Sequence, residues 1–82
     1  MSPAETLVQI DQIESVERLL AGLQQSAAQA LQRDREHAGL SLREVAPHIG
    51  MTAATLHNLE RGKHWRSAFA RRVAEFYASR AV

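Results

Sequence analysis

The sequence predicts an all-α fold of five to six short helices, and three observations carry that prediction. No stretch alternates apolar and polar residues for long, and β-branched residues are scattered, which argues against a sheet. Alanine, leucine, glutamine and arginine dominate, and all four are good helix formers. Capping residues and glycines then cut the chain into segments of helical length. With 82 residues there is room for one small domain.

Ser2-Pro3-Ala4-Glu5 reads as an N-cap, a proline at the first helical position and a glutamate placed to close a capping box. A first helix to about Ile10 follows, and Asp11 or Ser15 is placed to start a second. Ile13, Val16, Leu20, Leu23, Ala27 and Ala30 recur at alternating steps of three and four, the spacing of one buried stripe. Gly22 and Ser26 interrupt it, which leaves one bent helix or two helices meeting near residues 22–25; two are expected, the later one ending at Ala38 with Gly39 as its left-handed cap. Ser41-Leu42-Arg43-Glu44 is a second capping box, opening a short helix to Ile49 that Gly50 closes. Pro47 lacks an N–H and is expected to disturb its last turn. Thr52 caps a helix through Arg61, with Gly62 as its stop. Ser67 caps a last helix whose apolar stripe is Phe69, Val73, Phe76 and Tyr77.

Composition excludes several functions. There is no cysteine, hence no disulfide framework and no thiolate zinc site, which fits a reducing cytoplasm. His37, His48, His57 and His64 do not pair on one face, so no metal is expected. No apolar run is long enough to span a bilayer, and a soluble, cytoplasmic protein is expected. No nucleophile–base grouping, paired carboxylates or phosphate-binding glycine loop is visible, so no enzyme and no cofactor are expected. The net charge of +1 hides an asymmetry. Residues 1–32 carry four acids against Arg18 alone, whereas residues 33–82 carry nine basic residues against five acids. Arg61, Lys63, Arg66, Arg71 and Arg72 fall together with no acid among them, which favours an anionic partner.

Residues 41–62 are the most informative. Two short helices joined by Gly50-Met51 have too tight a turn to lie antiparallel and must cross steeply. Val45, Ala46 and Ile49 on one, with Leu56 and Leu59 on the other, supply faces that meet at such a crossing. Ala46 is small enough to let the helices approach. The second helix is left with an outer face of Ala53, Ala54, Thr55, His57, Asn58 and Arg61, short or polar and free of acids.

The stretch LSLREVAPHIGMTAATLHNLERGK resembles the helix-turn-helix of the phage Cro and C1 repressor family, the XRE-type regulators. The resemblance rests on Leu40-Ser41, Val45-Ala46, Ile49-Gly50, Thr52 and Glu60-Arg61-Gly62, and it runs from about Leu31 to Tyr77. Pro47 departs from the pattern. It implies a lambda-repressor-like domain at residues 23–82, preceded by an N-terminal helical extension at residues 1–22. It also implies that Ala53, Ala54, Thr55, His57 and Asn58 face base edges in the major groove of double-stranded DNA. Asparagine can pair with adenine, and alanine or threonine methyls can touch a thymine methyl. By the same resemblance Ser41, Leu42 and Arg43 meet a phosphate at a helix start, and Arg61, Lys63, His64, Trp65 and Arg66 lie along the backbone. Arg35 and Glu60 are expected to form a structural ion pair.

One such domain buries little surface on DNA, and relatives of this kind pair so that two recognition helices sit about 34 Å apart. The extension, through Leu7, Ile10, Ile13, Val16, Leu20 and Leu23, is the expected homodimer element. The alternative is the last helix, through Phe76, Tyr77 and Val82. The expected function is a small repressor on a palindromic operator, of the sort found in phages and plasmids, with no small-molecule effector. The alternative is an antitoxin that holds a toxin through its N-terminal helices and autoregulates its operon.

Overall fold

The computed structural model describes residues 2–80, so Val82 lies outside the described residues. Four α-helices follow in order: α1 (Pro3–His37), α2 (Leu42–Val45), α3 (Ala53–Glu60) and α4 (Ser67–Arg80). A 3-10 turn, Ala46–Ile49, joins α2 to the glycine turn before α3. No strand occurs among the described residues.

The largest correction concerns α1. The expected breaks after Ile10 and near residues 22–25 are absent, and α1 runs unbroken for 35 residues. An interior glycine such as Gly22 costs only about 1 kcal/mol relative to alanine, which a long run of leucine, glutamine, glutamate and alanine easily offsets. Ser15 is absorbed by donating its hydroxyl to the Asp11 carbonyl at 3.0 Å. A break needs a proline or a second packing surface, and residues 3–23 have neither beyond Pro3, which suits the first turn. The helix starts as expected: the Glu5 N–H donates to Ser2 Oγ and the Ser2 N–H to Glu5 Oε2, each at 3.3 Å.

The end of α1 is set by Gly39. Its N–H donates to the Glu36 carbonyl at 3.0 Å and that of Leu40 to the Arg35 carbonyl at 3.2 Å, the paired bonds of a Schellman cap. Pro47 acts on the next helix as its chemistry requires. It falls in the first turn of the 3-10 segment, so the single helix expected over Leu42–Ile49 becomes one α turn followed by one 3-10 turn.

Leu31, Val45, Ile49, Leu56, Leu59, Val73 and Tyr77 form the centre of the core, with Leu56, Val45 and Val73 wholly buried. Leu40, Leu42, Met51, Trp65, Phe69 and Phe76 pack around it. From α1 only Ala28 and Leu31 are buried in this core. The molecule measures 55 × 23 × 16 Å, its long dimension matching the roughly 52 Å of a 35-residue helix. A compact head of α2, α3, α4 and the end of α1 thus carries a projecting arm, residues 3–23, exposed throughout.

Candidate nucleic-acid interface

The site grows from the turn between α2 and α3. Gly50 sits at φ 66°, in the left-handed region, and the Met51 N–H donates back to the Ala46 carbonyl at 3.1 Å. Glycine adopts that conformation without the penalty a Cβ incurs, so the chain reverses within two residues and α3 packs across α2. Arg72, from α4, donates to the Ile49 carbonyl and pins the turn from behind. Nothing in the residue pattern signals this tie.

Thr52 opens α3: its Oγ1 accepts the Thr55 N–H at 3.1 Å, and its hydroxyl donates to Thr55 Oγ1 at 2.9 Å. Leu56, Leu59 and Glu60 turn inward and are buried. Ala54 and His57 are exposed, while Ala53, Thr55 and Asn58 are half-buried along the edge of the same face. The structure therefore brings the five expected base-contacting residues onto one acid-free surface of one helix.

α3 closes with its own Schellman cap. The Gly62 N–H donates to the Leu59 carbonyl at 3.1 Å and the Lys63 N–H to the Asn58 carbonyl at 2.8 Å. The strap that follows keeps Arg61, Lys63, His64 and Arg66 exposed. His64 holds φ 51°, and it is the non-glycine residue among those described with a left-handed backbone. The Arg66 guanidinium, just before α4, lies 4.3 Å from the centre of the Phe69 ring in the first turn of that helix. The Trp65 indole N–H donates to Ser67 Oγ at 3.1 Å, and its half-buried ring packs on the core.

On the other side of the turn, the Glu44 N–H donates to Ser41 Oγ at 3.1 Å and the Ser41 N–H to Glu44 Oε1 at 3.2 Å. Leu42 is half-buried and Arg43 exposed. Behind the site, Arg35 Nε donates to Glu60 Oε2 at 2.8 Å and Nη2 to Oε1 at 3.0 Å, a two-pronged pair. Nη1 donates to the Leu40 carbonyl at 2.9 Å. The hydrogen bond to Glu60 raises the Arg35 pKa above its ordinary value, against the opposing effect of burial. Burial, and then the nearby Glu60 charge, push the Tyr77 hydroxyl up to about 12.

Two short helices crossed at a left-handed glycine, with an acid-free outer face and a basic strap, define a helix-turn-helix, the domain of a DNA-binding regulator. Over residues 26–80 the chain matches the family model described as a helix-turn-helix domain, and it belongs to that family. No curated protein and no solved structure matches the chain. No helix among the described residues is long and apolar enough to cross a membrane.

Proposed function

We propose that this chain is a sequence-specific transcriptional repressor of the Cro/C1 (XRE) type, which binds a palindromic operator as a homodimer with α3 in the major groove. The observation that carries this reading is the α3 face itself. It offers Asn58, His57 and two alanines to solvent, and its one carboxylate, on Glu60, points away and is neutralised by Arg35. Asn58 reads adenine, and Ala53, Ala54 and Thr55 meet thymine methyls or let the duplex approach closely. So thin a set of direct readers leaves part of the discrimination to DNA shape.

Arg61, Lys63, His64 and Arg66 follow the backbone on one flank, while on the other the Leu42 and Arg43 N–H groups have no acceptor within their own helix. Trp65, with its N–H engaged by Ser67, supports the strap rather than contacting phosphate. About four phosphates neutralised per head gives a slope of roughly −4 in log K against log salt.

The experiment is a titration against operator and random DNA at several salt concentrations, with Asn58→Ala and Lys63→Ala alongside. Asn58→Ala is expected to cost about 1–3 kcal/mol on the operator only, whereas Lys63→Ala weakens every sequence and flattens the slope by about one. Salt-independent or absent binding overturns the reading. The exposed aliphatic arm favours a second reading, an antitoxin holding a toxin on α1. Co-purification of a stoichiometric small protein from the native operon separates the two.

A further inference from the structure

Ile10, Ile13, Val16, Leu19, Leu20 and Leu23 are 43–65% exposed on an arm whose residues are exposed throughout. At 100° per residue, Ile13, Val16, Leu20 and Leu23 fall in one band about 80° wide, flanked by Leu19 about 40° beyond one edge and Ile10 about 60° beyond the other. Val8, equally exposed, flanks the band on the Leu19 side, and Leu7 points away from it. At roughly 80–100 Å² for a half-exposed aliphatic residue, the six offer on the order of 500 Å², the size of the largest apolar patch on a monomer and often a functional one. Two such faces meet the ~1,000 Å² of a specific interface.

The band continues beyond the arm. Ala27 and Ala30 carry it into an open groove of about 500 Å³ between α1 and α4, walled by Ala70, Ala74, Ala78 and Trp65. Large aliphatics therefore occupy one half of the band, and alanines the other.

We propose that a second copy of this chain covers the band in antiparallel fashion, and that this pairing sets the separation of the two α3 helices. Reversal about the midpoint of Leu20 and Leu23 places Leu20 on the partner's Leu23, Val16 on the partner's Ala27 and Ile13 on the partner's Ala30. Each layer joins a large residue to a small one, or the two leucines at the centre. A parallel pair instead stacks large aliphatics on one another at one end and leaves alanine facing alanine at the other.

The geometry connects this pairing to DNA. Ala28, Leu31 and Arg35 join the head to α1, and in this register their midpoints lie about 30 Å apart along the helix pair at 1.5 Å per residue. Half-sites one DNA turn apart are separated by about 34–36 Å. Ala28 and Arg35 lie about a quarter turn from the middle of the band, with Leu31 at its edge on the same side, so the two-fold axis carries both heads to the same side.

This inference rests on the two-headed repressor reading for its purpose, so it is tested without DNA. The chain has no cysteine, and Asp11→Cys and Gly22→Cys introduce single spin-label sites on the side of α1 away from the band. Antiparallel pairing offsets the two Asp11 labels by about 32 Å along the axis and the two Gly22 labels by about 2 Å. The Asp11 distance is therefore expected to exceed the Gly22 distance by well over 10 Å. Equal distances, or a monomer in sedimentation at tens of micromolar, overturn the inference while leaving DNA binding by the head intact.

A layer swap gives the second readout. Val16→Ala and Ala27→Val are each expected to loosen the dimer by roughly tenfold or more, and the double variant to restore it. An Ala27→Val dimer tighter than the parent overturns the register. Labels at the expected distances in a chain that ignores DNA keep the pairing and overturn the repressor reading instead.

Discussion

Glu60→Ala tests the joint between the recognition helix and the rest of the head. The Glu60 side chain is 3% exposed and that of Arg35 14%, so the pair is largely out of water. Both Glu60 oxygens are engaged by the guanidinium, and its third bond goes to the Leu40 carbonyl. Removing the carboxylate leaves a buried cation that cannot lose its proton and retains one acceptor, and removing one partner of a buried pair costs about 3–5 kcal/mol. A chain of this size has a total stability of about 4–12 kcal/mol. The variant is therefore expected to lose a quarter or more of its stability and to melt at least ~12 °C lower, at about 4 °C per kcal/mol.

The assay is thermal unfolding followed by circular dichroism, with DNA titration at a temperature where the variant is still folded. Expected there is near-normal affinity, because the Glu60 side chain is buried against Arg35 and absent from the outer face of α3. Arg35→Leu combined with Glu60→Met should recover most of the stability, since an apolar pair of similar volume removes the desolvation cost. A Glu60→Ala protein that melts within ~2 °C of the parent refutes the reasoning, because the pair then contributes no more than a solvent-exposed one.

Tyr77→Phe should remove an alkaline transition. The Tyr77 hydroxyl is buried with no hydrogen-bond partner among the described residues, and its pKa rises from 10.0 to about 12 in the fold. The unfolded chain ionises first, so stability is full below pH ~10 and falls as pH rises towards ~12; phenylalanine flattens that decline and is neutral or slightly stabilising at pH 7. Gly62→Ala should cost about 1–2 kcal/mol in unfolding experiments, because φ is 72° there and the new methyl meets the Gln25 side-chain oxygen. Gly22→Ala should instead raise stability by up to ~1 kcal/mol, read as a higher melting temperature of the arm, since nothing lies within 4 Å of the added methyl. His64→Gly should relieve the left-handed strain at φ 51° yet weaken DNA binding at low salt, which melting and titration of the same variant read together.

The head was readable in the sequence because its signals are local and chemically strict. Ser41 with Glu44, Thr52 before an apolar run, and glycines at 39, 50 and 62 each admit few backbone solutions, and the structure uses the corresponding ones. The arm was misread for the opposite reason. Gly22 and Ser26 weaken a helix only slightly, and their effect depends on whether a packing surface exists nearby to reward a break. That surface is a tertiary fact which no window of residues contains. The Arg72 tie to the Ile49 carbonyl and the engagement of the Trp65 N–H by Ser67 were illegible for the same reason, since a basic residue bound to the fold and one bound to phosphate look alike in a string.

The arm also bears on why so small a head suffices. Its core rests on ten buried apolar residues, two of them α1 side chains and three of the ten alanines, so it supports the crossing of α2 and α3 and little else. A single recognition face of two alanines, a threonine, a histidine and an asparagine discriminates weakly by itself. If the second head is held about one DNA turn away, its binding becomes intramolecular, and modest affinities multiply without further contacts. The proposed pairing of α1 thus places the demand for rigidity on a long helix, whose length in residues translates directly into ångströms, and leaves the head only the chemistry of the groove. Repeating residues 24–30 directly after Ala30 keeps every layer of the pairing while adding about 10 Å to the α1 helix of each copy. Such a variant should remain dimeric, lose the original operator, and regain affinity for one with its half-sites moved apart. Unchanged operator preference in a dimeric insertion variant would show that α1 does not measure the spacing.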